Sequence, residues 1–265
     1  MLIMPEVKTF ISSTQAEKFP AEEVESEHSY WISERSLAAQ VKKLGEIFGR
    51  DFFLPDEARS YVYEVPKNAD GMFAIPRWES IASTYGDAVE MLIAILEKQL
   101  FGGKFLITRE PHMLQESERT RRALEAISSE QKDFQILFVP AQLGVLHRGR
   151  SVRRVRELLG PDEFGLGVFQ AGCILLTHPE RFNEYKNLFL DCAGDECLPD
   201  EGENGFASSP VFDLDKQGRM VSLYGIRNSQ YHRHCGSATG FISRPIRNFG
   251  VIHQTDNPNL FQKIL

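Results

Sequence analysis

Between Lys104 and Gly160 short apolar runs alternate with a helix-patterned stretch, and that alternation narrows the fold more than any other feature of the chain. "KFLIT" at 104–108 reads as a short strand. "HMLQESERTRRALEAISSEQ" at 112–131 reads as a helix braced by Glu118 and Arg122 at i,i+4, and "FQILFVP" at 134–140 as a buried strand. A loop from Pro140 to Arg150 and a helix capped by Ser151 complete a strand–helix–strand–helix order, for which parallel strands and a right-handed crossover are the default. The expected fold class is therefore α/β, with mixed α+β as the alternative: a βαβα core with parallel strands in the middle third and a hairpin-rich C-terminal part.

The flanking sequence fits that frame. Ser36 precedes Leu37, Val41, Leu44 and Phe48 on one helical face, and Gly49 closes the run. Asp87 with Glu90 three residues on predicts a helix start, and Ala88 to Leu100 is apolar nearly all round, so this helix should be central. "EFGLGVFQAGCILL" fits buried helix or strand alike, while Thr177 and Glu180 around Pro179 predict a fresh helix start. "NLFLDCAGD" reads as a strand running into a turn and "PVFDLDKQGRMVSLYG" as a hairpin about 216–218. Residues 1–29, with Glu17, Glu22, Glu23, Glu25 and Glu27, read as an acidic, loosely ordered extension; 30–265 read as a single mixed α/β domain.

Hydrophobic residues at 42% and charged residues at 25% place the chain among ordinary globular proteins. No apolar run reaches bilayer-spanning length, and the opening "MLIMPEVKTF" lacks the basic region of a secretory signal, so no membrane partner is expected. Four cysteines without an export signal point to reduced thiols or metal ligands and to the cytoplasm.

The net charge is −7, yet "GVLHRGRSVRRVRELLG" at 144–160 holds five arginines and a histidine. In the helix after Ser151, Val152, Val155 and Leu158 or Leu159 form an apolar stripe, leaving Arg153, Arg154, Arg156 and Glu157 on the other side. Arginines in a first turn oppose the helix macrodipole by roughly 0.3–1 kcal/mol each, so an anion should compensate them. Two sources are open: a bound phosphate or carboxylate, or the chain's own acids, of which "DCAGDECLPDEGEN" offers a run. Gly144 and Gly149 would let a ligand approach the backbone. If strands 104–108 and 134–140 are neighbours, Arg109, His112, His147, Arg148 and Arg150 converge beside Arg153 and Arg154. The spacing matches neither the phosphate-loop pattern nor GxGxxG.

A second acid-free segment carries Lys216, Arg219, Arg227, Arg233, Arg244 and Arg247, interleaved with Tyr224, Tyr231, Phe241 and Phe249. Such a pattern suits backbone-tracking cations beside base-stacking rings, and equally suits hairpin aromatics filling a core. Cys192, Cys197, His232 and His234 are candidate zinc ligands, and Asp191, Asp195 and Glu196 candidate catalytic carboxylates that would hold magnesium or manganese. The leading expectation is binding of a phosphate-bearing ligand or nucleic acid through 147–156 and 216–247. A non-catalytic protein-interaction module is the alternative, and a metal-dependent phosphodiesterase or nuclease on the Asp191 turn is the third reading. The residues do not decide whether the chain is an enzyme.

Overall fold

The computed structural model describes residues 18–52, 62–99, 105–107, 110–132, 134–182, 188–198, 207–214, 221–243 and 245–246. Local capping sets several boundaries. Ser36 accepts the Ala39 N–H, so α1 (Leu37–Phe48) starts there, and it stops at Gly49, whose φ of 62° is left-handed. After β1 (Val62–Tyr63) and β2 (Gly71–Pro76), α2 (Tyr85–Gln99) begins ahead of Asp87, because Thr84 Oγ1 takes the Asp87 N–H at 3.2 Å. β3 (Phe105–Ile107) and β4 (Leu114–Glu116) lead to α3 (Glu118–Glu130), capped by Ser117. That helix therefore starts at Glu118 rather than His112: the preceding residues are held as a strand by β8 (Asp195–Cys197).

The remaining elements are β5 (Ile136–Arg148), α4 (Val152–Leu158), β6 (Glu163–Gly165), α5 (Val168–Thr177), β7 (Phe189–Asp191), β9 (Ser208–Leu214), β10 (Val221–Arg227), β11 (Cys235–Phe241) and β12 (Pro245–Ile246). The fold is mixed α/β, with five α-helices among the described residues and an eight-stranded sheet ordered β2-β5-β11-β7-β9-β10-β3, β6 adding to β11. Parallel pairs are β7 with β11 and β3 with β10; the other pairs of this sheet are antiparallel, including the expected hairpin β9–β10. β3 and β5 do not adjoin. β3 lies at one edge and β5 beside the opposite edge strand, so the two strands are not the parallel neighbours that would bring His112 to the end of β5. Arg109 itself lies outside the described residues.

Every residue of α5 is buried, which is why its apolar run has no period to read. It packs on β2 and against α1 and α2, whose Ala88, Val89, Leu92, Ile93 and Leu96 fill the same core. Cys173 lies in this core. Thr177, expected to cap a new helix, is the last residue of α5 and its hydroxyl donates back to the Ile174 carbonyl; the described residues after it form a 3-10 turn, Pro179–Phe182, whose Glu180 carboxylate is taken by Arg35 and Ser33. Arg181, fully buried, lies over the Tyr30 ring at 4.0 Å and donates to the Leu143 and Leu188 carbonyls, tying residue 30 to the sheet. Among the described residues no helix is long and apolar enough to cross a membrane.

Candidate functional site

The quoted arginine stretch is not a loop before a helix. β5 continues through Pro140 to Arg148, and only the turn at Gly149 separates it from α4. Gly144 (φ 121°) and Gly149 (φ 75°) have the left-handed backbone that favours glycine, but what approaches them is the chain itself. A Cβ at Gly144 would stand 2.9 Å from the Gly236 carbonyl oxygen, and one at Gly149 2.0 Å from that of Val24.

The compensating anions are also internal. Ser151 caps α4, accepting the Arg154 N–H at 3.0 Å, and its hydroxyl donates to Glu22 Oε2 at 2.7 Å. Arg153 pairs with Glu22; Arg150 Nε donates to Glu23 Oε2 at 2.8 Å; Arg154 donates to Glu23 Oε1 and Glu157 Oε2, each at 2.8 Å. Arg154 is only 2% exposed, so it belongs to the interior and not to the open face that its helical position suggests. Arg156 reaches the Ala193 and Asp195 carbonyls at 3.1 and 2.8 Å and Glu196 at 3.4 Å. His147 Nε2 meets Glu163 Oε1 at 2.7 Å, buried. The Arg153 hydrogen bond holds the Glu22 carboxyl below its usual range. Burial pushes Glu23 up, but the bonds from Arg150 and Arg154 outweigh it, and the net shift is downward. Of the described acids in 191–198, Glu196 joins this network, while Asp200, Glu201 and Glu203 lie outside the described residues; Glu22 and Glu23 come from the segment expected to be loose, whose described part from Lys18 onward runs beside α4.

Other cations of the two basic segments have a different setting. The turn after β10 is sewn to the start of α4 and the end of β5: the Arg153 N–H donates to the Asn228 carbonyl at 2.9 Å and the Gly149 N–H to that of Cys235 at 2.8 Å. The two segments thus meet in space. Around this turn, Arg148 makes one 3.4 Å hydrogen bond to the His28 carbonyl, and Arg227 and Arg233 are exposed. None of these three arginines pairs with a carboxylate among the described residues. His28 and His234 touch edge to face at 4.2 Å, and His234 stacks on Phe189 at 5.9 Å. Burial, then the neighbouring His28, Arg233 and His232, lowers the His234 pKa. Tyr231 is 42% exposed on the same turn, whereas Phe241 is core and Tyr224 half-buried against Asp213. Lys216, Arg219, Arg244, Arg247 and Phe249 lie outside the described residues.

The candidate metal ligands do not come together. Cys192 and Cys197 are buried thiols, His232 is exposed and His234 stacks on Phe189; among the described residues no grouping of three ligand atoms includes any of them, nor Asp191, Asp195 or Glu196. The three carboxylates have separate environments. Glu196 pairs with Arg156. Asp195, fully buried, accepts the Val168 N–H at 2.7 Å and the Tyr85 hydroxyl at 2.7–2.8 Å, so it caps α5, and burial pushes it up to about 8.

Asp191 ends β7 in the sheet interior, where burial pushes it up to about 7; its Oδ1 has no hydrogen-bond partner. An acid with a raised native pKa favours the folded state while protonated, and that contribution is lost as pH rises from the unfolded value through about 7. Asp191→Asn should accordingly leave stability nearly unchanged at about pH 4 and raise it by about 1–4 kcal/mol at about pH 8. Thermal melts across that window check this; a variant less stable than the parent at both ends would contradict it. No known protein family, characterised protein or solved structure matches the chain, so its functional reading rests on this geometry.

Proposed function

We propose that the chain binds a phosphate-bearing partner, nucleic acid in preference to a small nucleotide, on the cationic face formed where the turn at 228–234 meets the end of β5. One observation carries this reading: Arg148, Arg227 and Arg233 surround that turn without a carboxylate partner among the described residues, while Arg150, Arg153, Arg154 and Arg156 beside them are engaged by acids of the chain. Cations spaced along a surface suit a polyanion better than a single phosphate, and the exposed Tyr231 ring among them offers a stacking surface for an unpaired base. The four free buried thiols fit a reducing compartment, and the cytoplasm is the setting proposed.

Fluorescence anisotropy of a labelled single-stranded oligonucleotide tests the reading. With three phosphates neutralised, affinity should fall about twentyfold between about 50 and about 200 mM salt. Absence of binding at the lower salt would refute nucleic-acid binding and leave a protein partner as the better account of the face.

A further inference from the structure

The geometry assigns a divalent transition-metal site to Asp87, Glu90 and His112, on elements other than those of the cationic face. Each of these residues offers one ligand atom, and the three atoms lie within 4.8 Å of one another. Asp87 and Glu90 occupy the first turns of α2 at i,i+3, so they share a face of the helix. His112 comes from a different part of the chain, the 3-10 turn Pro111–Met113. Gly86 seats that turn closely: a Cβ there would stand 3.0 Å from His112 Nδ1 and 3.4 Å from the Pro111 carbonyl oxygen. The Nε2 edge of the ring is thereby turned to the carboxylates, with 3.7 Å to Glu90 Oε2.

Acids in a first turn have an ordinary reason to be there, since they complement the helix dipole. That reason does not gather them. Glu90 and His112 are 64% and 59% exposed and could turn into water, yet the two like charges of Asp87 and Glu90 converge on an imidazole. Among the described residues no lysine or arginine pairs with either carboxylate. A divalent cation would balance the two negative charges, and the imidazole favours zinc, cobalt, nickel, iron or copper over magnesium or calcium. Three protein ligands leave coordination positions for water, the arrangement of a reactive or exchangeable metal and not of a closed structural one.

The test is titration of the full chain with cobalt(II), read by its visible d–d absorption, followed by zinc competition. The expected result is one equivalent bound without the intense near-ultraviolet band of thiolate ligation. His112→Asn and Glu90→Gln, both exposed and both expected to leave the melting temperature unchanged, should each weaken binding about tenfold or more. His232→Asn with His234→Asn should leave it unchanged. No saturable cobalt spectrum, a thiolate band, binding that survives His112→Asn, or binding lost with His232 and His234 would each overturn the assignment. None of these outcomes bears on oligonucleotide affinity, so this site and the cationic face stand or fall separately.

Discussion

Replacing Arg154 with Leu should lower the free energy of unfolding by about 1–3 kcal/mol, because the charge-assisted hydrogen bonds of a buried guanidinium are lost while Arg150 still holds Glu23. Arg154→Lys should recover only part of it, since one ammonium cannot reproduce a fork that serves both carboxylates. Denaturant melts give the answer, and a loss below about 1 kcal/mol would mean that the pair is solvated and dispensable. The pH dependence follows from the partners. Glu22, Glu23 and Glu157 all have lowered pKa values, the last chiefly through the Lys18 N–H, so their contribution is present above the ordinary carboxylate range and is lost as pH falls through the folded values. Acid should therefore release the segment around Glu22 and Glu23 from α4.

Asp195→Ala is the second large effect. It removes the acceptor for the Val168 N–H at the start of α5 and the partner of the buried Tyr85 hydroxyl, which together should cost about 2–4 kcal/mol. Asp195→Asn keeps an acceptor for Val168 and carries no charge where burial disfavours one, so its loss at about pH 8 should be much smaller, about 1 kcal/mol or less. Thermal or chemical unfolding of both variants separates the cap from a catalytic carboxylate: equal destabilisation by alanine and asparagine would contradict the capping role.

Local signals in the sequence carried far. Ser36, Gly49 and Ser151 mark helix ends where the structure has them, and the hairpin of β9 and β10 is visible in its own residues. The readings that fail do so where tertiary partners decide. Leu114–Glu116 would extend α3 by pattern but is claimed by β8, and β5 runs past Pro140 because β11 supplies a partner on its far side. The parallel pairing of β3 with β10 joins residues more than a hundred positions apart, which no local pattern reveals. The site divides in the same way. The excess of arginine over acid in 141–156 is plain, but the acids that answer it, Glu22 and Glu23, lie at the other end of the chain with no spacing to announce them. Only in three dimensions do Arg150, Arg153 and Arg154 separate from Arg148, Arg227 and Arg233.

That separation is the central claim, and one titration tests it: salt-dependent anisotropy of the parent chain beside an Arg148→Gln, Arg227→Gln, Arg233→Gln variant of the same melting temperature. The expected result is an affinity loss of about tenfold or more at about 50 mM salt and a slope of log affinity against log salt reduced by about 2–3. Unchanged affinity and slope in the triple variant, with binding by the parent intact, would contradict the account and return the anion-binding role to the helix whose arginines it assigns to Glu22 and Glu23.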